Sequence, residues 1–372
     1  MRVLVLLTYG YSLKTWENSG TLDRELEIYK QLKEKHKIEF VFLTYGDFKD
    51  YKFISNIDNS KIIPVYNKLK YHENPILRYI TSFYIPFKFA KEIKDCDIIH
   101  QHQLLGSWVA CLIKILWRKP LYIRTGYDMY TFAVKENKSF FIKLLYKFLT
   151  IFSIKFANIY TVTSLSDKSL FPKNNKVRIR PNWVYEHKML NSDIRLENKI
   201  LSVGRLEIQK NFEFLIKEMA NVNKKLTLVL VGKGQLKRSL INQSKKLNLE
   251  IEIIDKLNHK ELHNFYKKFK FYISCSTYEG NPKAILEAQA AGCIVLASKI
   301  PNHEEIIKDS ETGYLFKLET GELNKLIDKL LSDSQVNHDK ISTNSVENVR
   351  KNNSIELLVR ETYSDYIYLN KS

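Results

Sequence analysis

The stretch FYISCSTYEGNPKAILEAQAAG, residues 271–292, decides how this chain is read. FYISC is a short apolar run of strand character, and KAILEAQAAG has the composition of a helix. Between them lies an acidic loop. Asn281 and Pro282 read as the N-cap and first residue of that helix, and Gly292 as the glycine just past its end. A helix N-terminus directs unpaired N–H groups at whatever lies in front of it, which suits a phosphate. Glu279 lies in the loop and Glu287 about a turn into the helix. Ionised carboxylates accept hydrogen bonds and donate none, so two of them around a phosphate site suit the hydroxyls of a sugar and a ribose. The alternative is a capped helix with one buried-side and one exposed Glu. Cap, glycine and both acids together favour a nucleotide-sugar site.

Working outward, the second half repeats the same pattern. KILSVG, LTLVLVG, IEIID, FYISC and IVLAS are apolar runs at regular spacing, with helical stretches between them. KILSVG empties into Gly204, Arg205 and, further along the loop, Lys210. Cations beside a helix N-terminus would stabilise a diphosphate, Arg as a fork and Lys as a point charge. LTLVLVG empties into Gly232-x-Gly234, weak alone but the second strand-end glycine turn in one domain. Ligands of open α/β sheets sit off the carboxyl ends of strands.

The first half shows the same rhythm more loosely: RVLVLL, IEFVFLTY, KIIPVY, DIIHQH, PLYIRT and NIYTVT alternate with amphipathic segments. The expected fold class is α/β, two Rossmann-like domains with a cleft between them. Residues 1–184 form the first domain, 185–198 a linker, 199–345 the second domain and 346–372 a helical tail. A length of 372 residues accommodates two domains. The four cysteines, Cys96, Cys111, Cys275 and Cys293, form no C-x-x-C pair and read as reduced thiols of a cytosolic protein. The opening MRVLVLL suits a first strand better than a signal peptide, and no run is long enough to span a membrane. Asp95-Cys96-Asp97 is a D-x-D, the pattern that holds a divalent metal in some sugar transferases, but it precedes a strand and reads as a turn. His100 and His102 share a strand face without a third ligand, so no metal site is expected.

The net charge of +18 is uneven: residues 1–198 carry 32 basic and 19 acidic residues, residues 199–372 carry 27 and 22. A basic half fits an anionic membrane surface or a nucleic acid. No nucleic-acid motif is present, and the basic segments are too apolar for a solvated groove. KSFFIKLLYKFLTIFSIKFA, residues 138–157, has four lysines and no acid. Phe141, Leu145, Phe148, Phe152 and Phe156 share one helical face. Two readings stand, a core helix or a helix lying on anionic lipid. CLIKILWRK and ILRYITSFYIPFKFAK have the same character.

SVGRLEIQKN, VLVGKGQL, STYEGNPKAILEAQAAG and IPNHEEIIKDSETGYLF resemble the family 4 (group 1) retaining glycosyltransferases, with specific likeness over 199–316. ENSGTLDRELEIY, DIIHQH and RPNWV are similar more loosely. The resemblance implies the GT-B fold, with the terminal helix crossing back to the first domain. It implies transfer of a hexosyl-type sugar from a nucleoside diphosphate sugar, with no metal and no cofactor. The diphosphate would lie on Arg205 and Lys210, the donor on the backbone of Gly280, Asn281 and Pro282. Glu279 would bind the sugar and Glu287 the ribose. Gly20, Gly204 and Gly232 would shape the donor loops. Many members carry a His in the segment matching RTGYDMY, 124–130; here Arg124 and Asp128 are the candidates for the acceptor side. The implied acceptor is a lipid-linked surface glycan of lipopolysaccharide, capsule or exopolysaccharide type. The enzyme would sit peripherally on the cytoplasmic membrane face. A nucleic-acid-binding protein and a sugar-nucleotide epimerase of the same fold are the alternatives.

Overall fold

A computed structural model describes residues 1–57, 60–172, 174–185 and 195–371. The chain divides into two units, residues 1–180 with 358–372, and residues 181–357.

The first unit is built on seven strands: β1 Arg2–Leu6, β2 Glu39–Thr44, β3 Lys61–Pro64, β4 Ile98–His102, β5 Leu121–Arg124, β6 Ile159–Val162 and β7 Val177–Ile179. All pair in parallel, in the order β3-β2-β1-β4-β5-β6-β7. The second unit holds β8 Leu196–Val203, β9 Thr227–Val231, β10 Ile251–Ile254, β11 Phe269–Ser274, β12 Ile294–Ser298 and β13 Tyr314–Phe316. These are parallel too, in the order β10-β9-β8-β11-β12-β13. Both sheets are covered on two faces, which is why their strands read as near-continuous apolar runs. In the second unit Ile200, Leu228, Leu230, Ile273 and Leu296 enter one core, while Leu201, Val229, Tyr272, Val295 and Ala297 enter the other. Successive strand residues point to opposite faces, so one sequence serves both layers.

β7 and β13, three residues each, were not expected as strands. The expected tail at 346–372 begins instead inside a helix, Gln335–Asn353, of the second unit. A break at Ser354 separates it from the terminal helix Ile355–Lys371. Residues 186–194 of the expected linker lie outside the described residues. Arg195 is buried in the second unit, donating to the carbonyls of Ala291 and Gly292, and β8 starts at Leu196.

The terminal helix buries Leu358, Val359, Thr362, Asp365, Tyr366 and Leu369, a 3–4 spacing. Asp365, fully buried, bonds to Arg178 and Arg180 of the first unit, and the Tyr366 hydroxyl to His100 Nδ1. The phenylalanine helix, Phe140–Phe156, departs from the core reading. Its buried residues are Leu149, Thr150, Ser153 and Ile154. Phe152 and Phe156 pack against the core, but Phe141 is 80% exposed, and Leu145 and Phe148 are exposed too.

Candidate functional site

In the second unit the strand order reverses between β8 and β11, which run side by side while their connections go opposite ways. Such a switch point opens a crevice at the strands' carboxyl ends. The loop after β8 carries Gly204, Arg205 and Lys210; the loop after β11 carries Glu279, Gly280 and Asn281.

Hydrogen bonds knit the two loops. The Thr277 amide donates to the Gln209 carbonyl (3.0 Å), and Gln209 Nε2 donates to the Tyr278 carbonyl (2.8 Å) and to Glu279 Oε2 (3.3 Å). Lys210 Nζ then meets Glu279 Oε1 at 2.5 Å, with side chains 18% and 9% exposed. Lys210 can lie this way because residue 204 has no side chain: a Cβ there would stand 2.9 Å from the Lys210 stem. Gly232 answers a tighter demand. Its φ is +154°, and a Cβ would fall 1.9 Å from the Gly204 carbonyl oxygen. The glycine turns after β8 and β9 thus approach one another closely through their backbones. Arg205 is 67% exposed and meets Glu207 at 3.1 Å.

The helix after the acidic loop spans Lys283–Ala290. Pro282 occupies its N-cap, and Asn281 does not cap it. The Asn281 side chain is drawn the other way, accepting from the Asn182 amide (2.9 Å), while its carbonyl accepts from Asn182 Nδ2 (2.7 Å). At the far end Gly292 adopts φ +75°, and the Cys293 amide returns to the Ala288 carbonyl (2.9 Å). Glu287 faces Tyr266, whose hydroxyl donates to its Oε2 (3.2 Å). Burial raises the Tyr272 phenol, and both Glu279 and Glu287 raise it further, so the two acids act on one side chain of β11.

Beneath the loop lies His303, which sequence reading passed over. It is fully buried; its Nδ1 bonds to the Ser298 carbonyl (2.7 Å), and Ser298 Oγ donates to the Ser276 carbonyl (2.6 Å). Burial lowers its pKa to about 4, against a partial upward pull from Glu279. Gln209 was also missed, although it stands beside Lys210; nothing local marks it, since its partners come from the other loop.

In the first unit Gly20 terminates the helix Leu13–Ser19 with φ +74°. Arg124 is buried at the end of β5, 3.8 Å from Glu25 Oε2, which also lies 3.3 Å from His102 Nε2. The Asp128 carboxylate caps the helix Met129–Lys135 through the Thr131 amide (2.7 Å). Both side chains are therefore engaged within the unit. Asp97 takes the turn role: its Oδ2 accepts from the Arg2 amide (2.7 Å) at the entry to the sheet. Among the described residues no group of three or more His, Cys, Asp or Glu gathers as metal ligands would. All four cysteines are buried and free.

Residues 192–351 match the family described as Glycosyl transferases group 1. One similar protein is the N-acetylgalactosamine-N,N'-diacetylbacillosaminyl-diphospho-undecaprenol 4-alpha-N-acetylgalactosaminyltransferase of Campylobacter jejuni. It is 28% identical over 262 residues, 66% of this chain and 70% of its own length. The amylovoran biosynthesis glycosyltransferase AmsD of Erwinia amylovora is 26% identical over 344 residues, 88% of this chain and 90% of its own. In three dimensions the chain superposes on Anabaena HepE, solved in complex with UDP. The TM-score is 0.74 at 15% identity, covering 99% of this chain and all of the other. The fold is GT-B. The match over the second unit and the named relatives together support a group 1 glycosyltransferase.

Proposed function

We propose that this chain is a retaining, metal-independent glycosyltransferase. It would move a hexosyl-type sugar from a nucleoside diphosphate sugar to a lipid-linked glycan. The observation that carries the donor half is the Lys210–Glu279 pair, held at the sheet's switch point in front of a helix N-terminus. In the transfer, the bond from the anomeric carbon to the diphosphate breaks and one to an acceptor hydroxyl oxygen forms. The hydroxyl proton leaves with the diphosphate. Charge growing on the departing oxygen would be met by Lys210, Arg205 and the backbone of Gly280, Asn281 and Pro282, an electrostatic preorganisation. The Arg205–Glu207 contact is exposed and worth about 0–1 kcal/mol, so a diphosphate can draw Arg205 away from it. Glu279 would accept from sugar hydroxyls and Glu287 from the ribose.

The relatives support the acceptor half: one is named for diphospho-undecaprenol and one for amylovoran biosynthesis. A peripheral site on the cytoplasmic membrane face fits the first unit. The helix Phe140–Phe156 exposes Phe140, Phe141, Leu144, Leu145 and Phe148 beside Lys143 and Lys147, and the helix Pro75–Ser82 exposes Ile76, Leu77 and Ile80. Apolar side chains among lysines, with no acid in the longer helix, match an anionic lipid surface. Among the described residues no helix is long and apolar enough to cross a membrane.

A thermal-shift screen of UDP, GDP, ADP and their sugars tests the donor half, because a ligand of the folded state raises the melting temperature. Glu287→Ala should weaken nucleotide binding; donor affinity and turnover equal to wild type would sink the assignment. Flotation with anionic vesicles, lost in Phe141→Glu/Phe148→Glu, tests the membrane half. Epimerised donor in the absence of any acceptor would instead favour an epimerase.

A further inference from the structure

The chain leaves the first unit between Arg180 and Pro181 and returns to it between Leu357 and Leu358. Inside the second unit these two crossings are stapled together. Asn353 Nδ2 donates to the Asn182 carbonyl (2.8 Å), and the Val184 amide donates to the Asn353 carbonyl (3.0 Å). Asn182 donates from its main-chain amide and from its side-chain Nδ2 to a single distant residue, Asn281. Both Asn182 and Asn353 are about nine-tenths buried, so these bonds are made away from solvent. One residue beside a crossing thereby grips both the carbonyl and the side chain of a residue in the acidic loop, 99 positions away.

We propose that Asn182 is a positioning residue for the donor site. It fixes the peptide of Asn281, and through Asn353 it ties that peptide's geometry to both chain crossings. This rests on the nucleotide-sugar reading of the loop, in which the backbone from Gly280 to Pro282 faces the diphosphate. The chemistry needs a short side chain that donates to the Asn281 carbonyl, which the Asn182 amide group does. The substitution Asn182→Asp keeps the size but sets a carboxylate oxygen against that carbonyl.

The test uses the full chain with Asn182→Ala, Asn182→Asp and Asn353→Ala. UDP, GDP and ADP are titrated calorimetrically well below the melting temperature, alongside hydrogen exchange of peptides covering 276–287. Losing one such bond corresponds to about a five- to tenfold rise in the Kd of the nucleotide that wild type binds. Asn182→Asp should bind more weakly than Asn182→Ala despite its conserved size, and amides 280–281 should exchange faster in both. Asn353→Ala should show a smaller effect that does not add to that of Asn182→Ala. A role in stability alone would lower the melting temperature and leave the Kd unmoved, and that result overturns the proposal. Wild type that binds none of the three nucleotides overturns the donor-site reading and the proposal with it. Wild type that binds, with Asn182→Ala binding equally well, overturns the proposal alone.

Discussion

Replacing Gly232 with alanine should damage the site more than its one added carbon suggests. At φ +154° the new Cβ would stand 1.9 Å from the Gly204 carbonyl oxygen, where Cβ contacts in proteins stay beyond 3.0 Å. The turn after β8 would have to retreat by about 1.1 Å. It cannot do so freely. The Gly204 amide donates to the Val231 carbonyl (3.0 Å) and the Leu206 amide to the Lys233 carbonyl (2.8 Å), locking the two turns together. Backbone strain of about 1–3 kcal/mol and the weakening of one such bond, about 1 kcal/mol, give a loss near 3 kcal/mol. For a unit of this size that lowers its melting temperature by roughly 6–12 °C. Retreat carries Arg205 and the Lys210 stem with it, and a shift of about 1 Å in positioning groups costs on the order of a hundredfold in turnover. Gly10→Ala is the control. Gly10 also has positive φ, +78°, but nothing lies within 4 Å of its would-be Cβ, so only strain of about 1 kcal/mol is expected. Urea and thermal unfolding with nucleotide titration would measure both variants. A Gly232→Ala protein that melts within a degree of wild type and binds nucleotide equally well would refute the close-approach account.

Acid should destabilise the fold through buried histidines. Burial lowers His303 to about 4 and His100 well below its ordinary value, while the unfolded chain protonates them near 6.5. Between these limits the unfolded state binds more protons, so stability falls as pH falls, by up to about 1.4 kcal/mol per unit per histidine. Urea midpoints from pH 7 down to 4.5 should show this slope, and His303→Gln should flatten it. Glu218, fully buried, accepts from the amides of Gly321, Leu323 and Asn324 at the start of the helix Glu322–Leu331. Glu218→Gln should cost about 2–3 kcal/mol by urea unfolding, since it turns amide hydrogens on those donors and removes charge from a helix N-terminus. Asp365→Ala should cost about 3–5 kcal/mol, because Arg178 and Arg180 lose a buried partner; faster proteolysis of the terminal helix would report it.

What sequence made legible was whatever local spacing encodes. Both sheets announced themselves because buried parallel strands are apolar on both faces. The acidic loop did so because a strand, a glycine, two acids and a helix fall within 22 consecutive residues. Three-residue β7 and β13 are too short for alternation to show. Asn281 was read as a cap because an Asn before a helix usually is one; its true partner, Asn182, is 99 positions away. The phenylalanine stripe is real as a helical face, but spacing cannot say whether that face meets protein, and here its first half does not. Arg124 and Asp128 were picked out as acceptor-side candidates, yet a sequence does not show that Arg124 lies beside Glu25 or that Asp128 caps a helix through the Thr131 amide.

The two acids that frame the loop are not equivalent, and the difference lies in what each touches. Glu279 lies against an ammonium group, Glu287 against a phenol. A carboxylate and an ammonium, both mostly withdrawn from water, would each be costly alone; as a pair they satisfy one another while the site is empty. On the proposed reading a sugar nucleotide offers each a replacement: hydroxyl donors for Glu279, diphosphate oxygens for Lys210. The pair can then be opened without leaving either charge unpartnered. A bare phosphate offers a partner to Lys210 only, and sets its own charge against Glu279. On that reading the arrangement would favour a diphosphate that still carries its sugar over one that has lost it. A carboxylate would serve this discrimination without moving a proton, and release of the spent nucleotide would restore the Lys210–Glu279 pair.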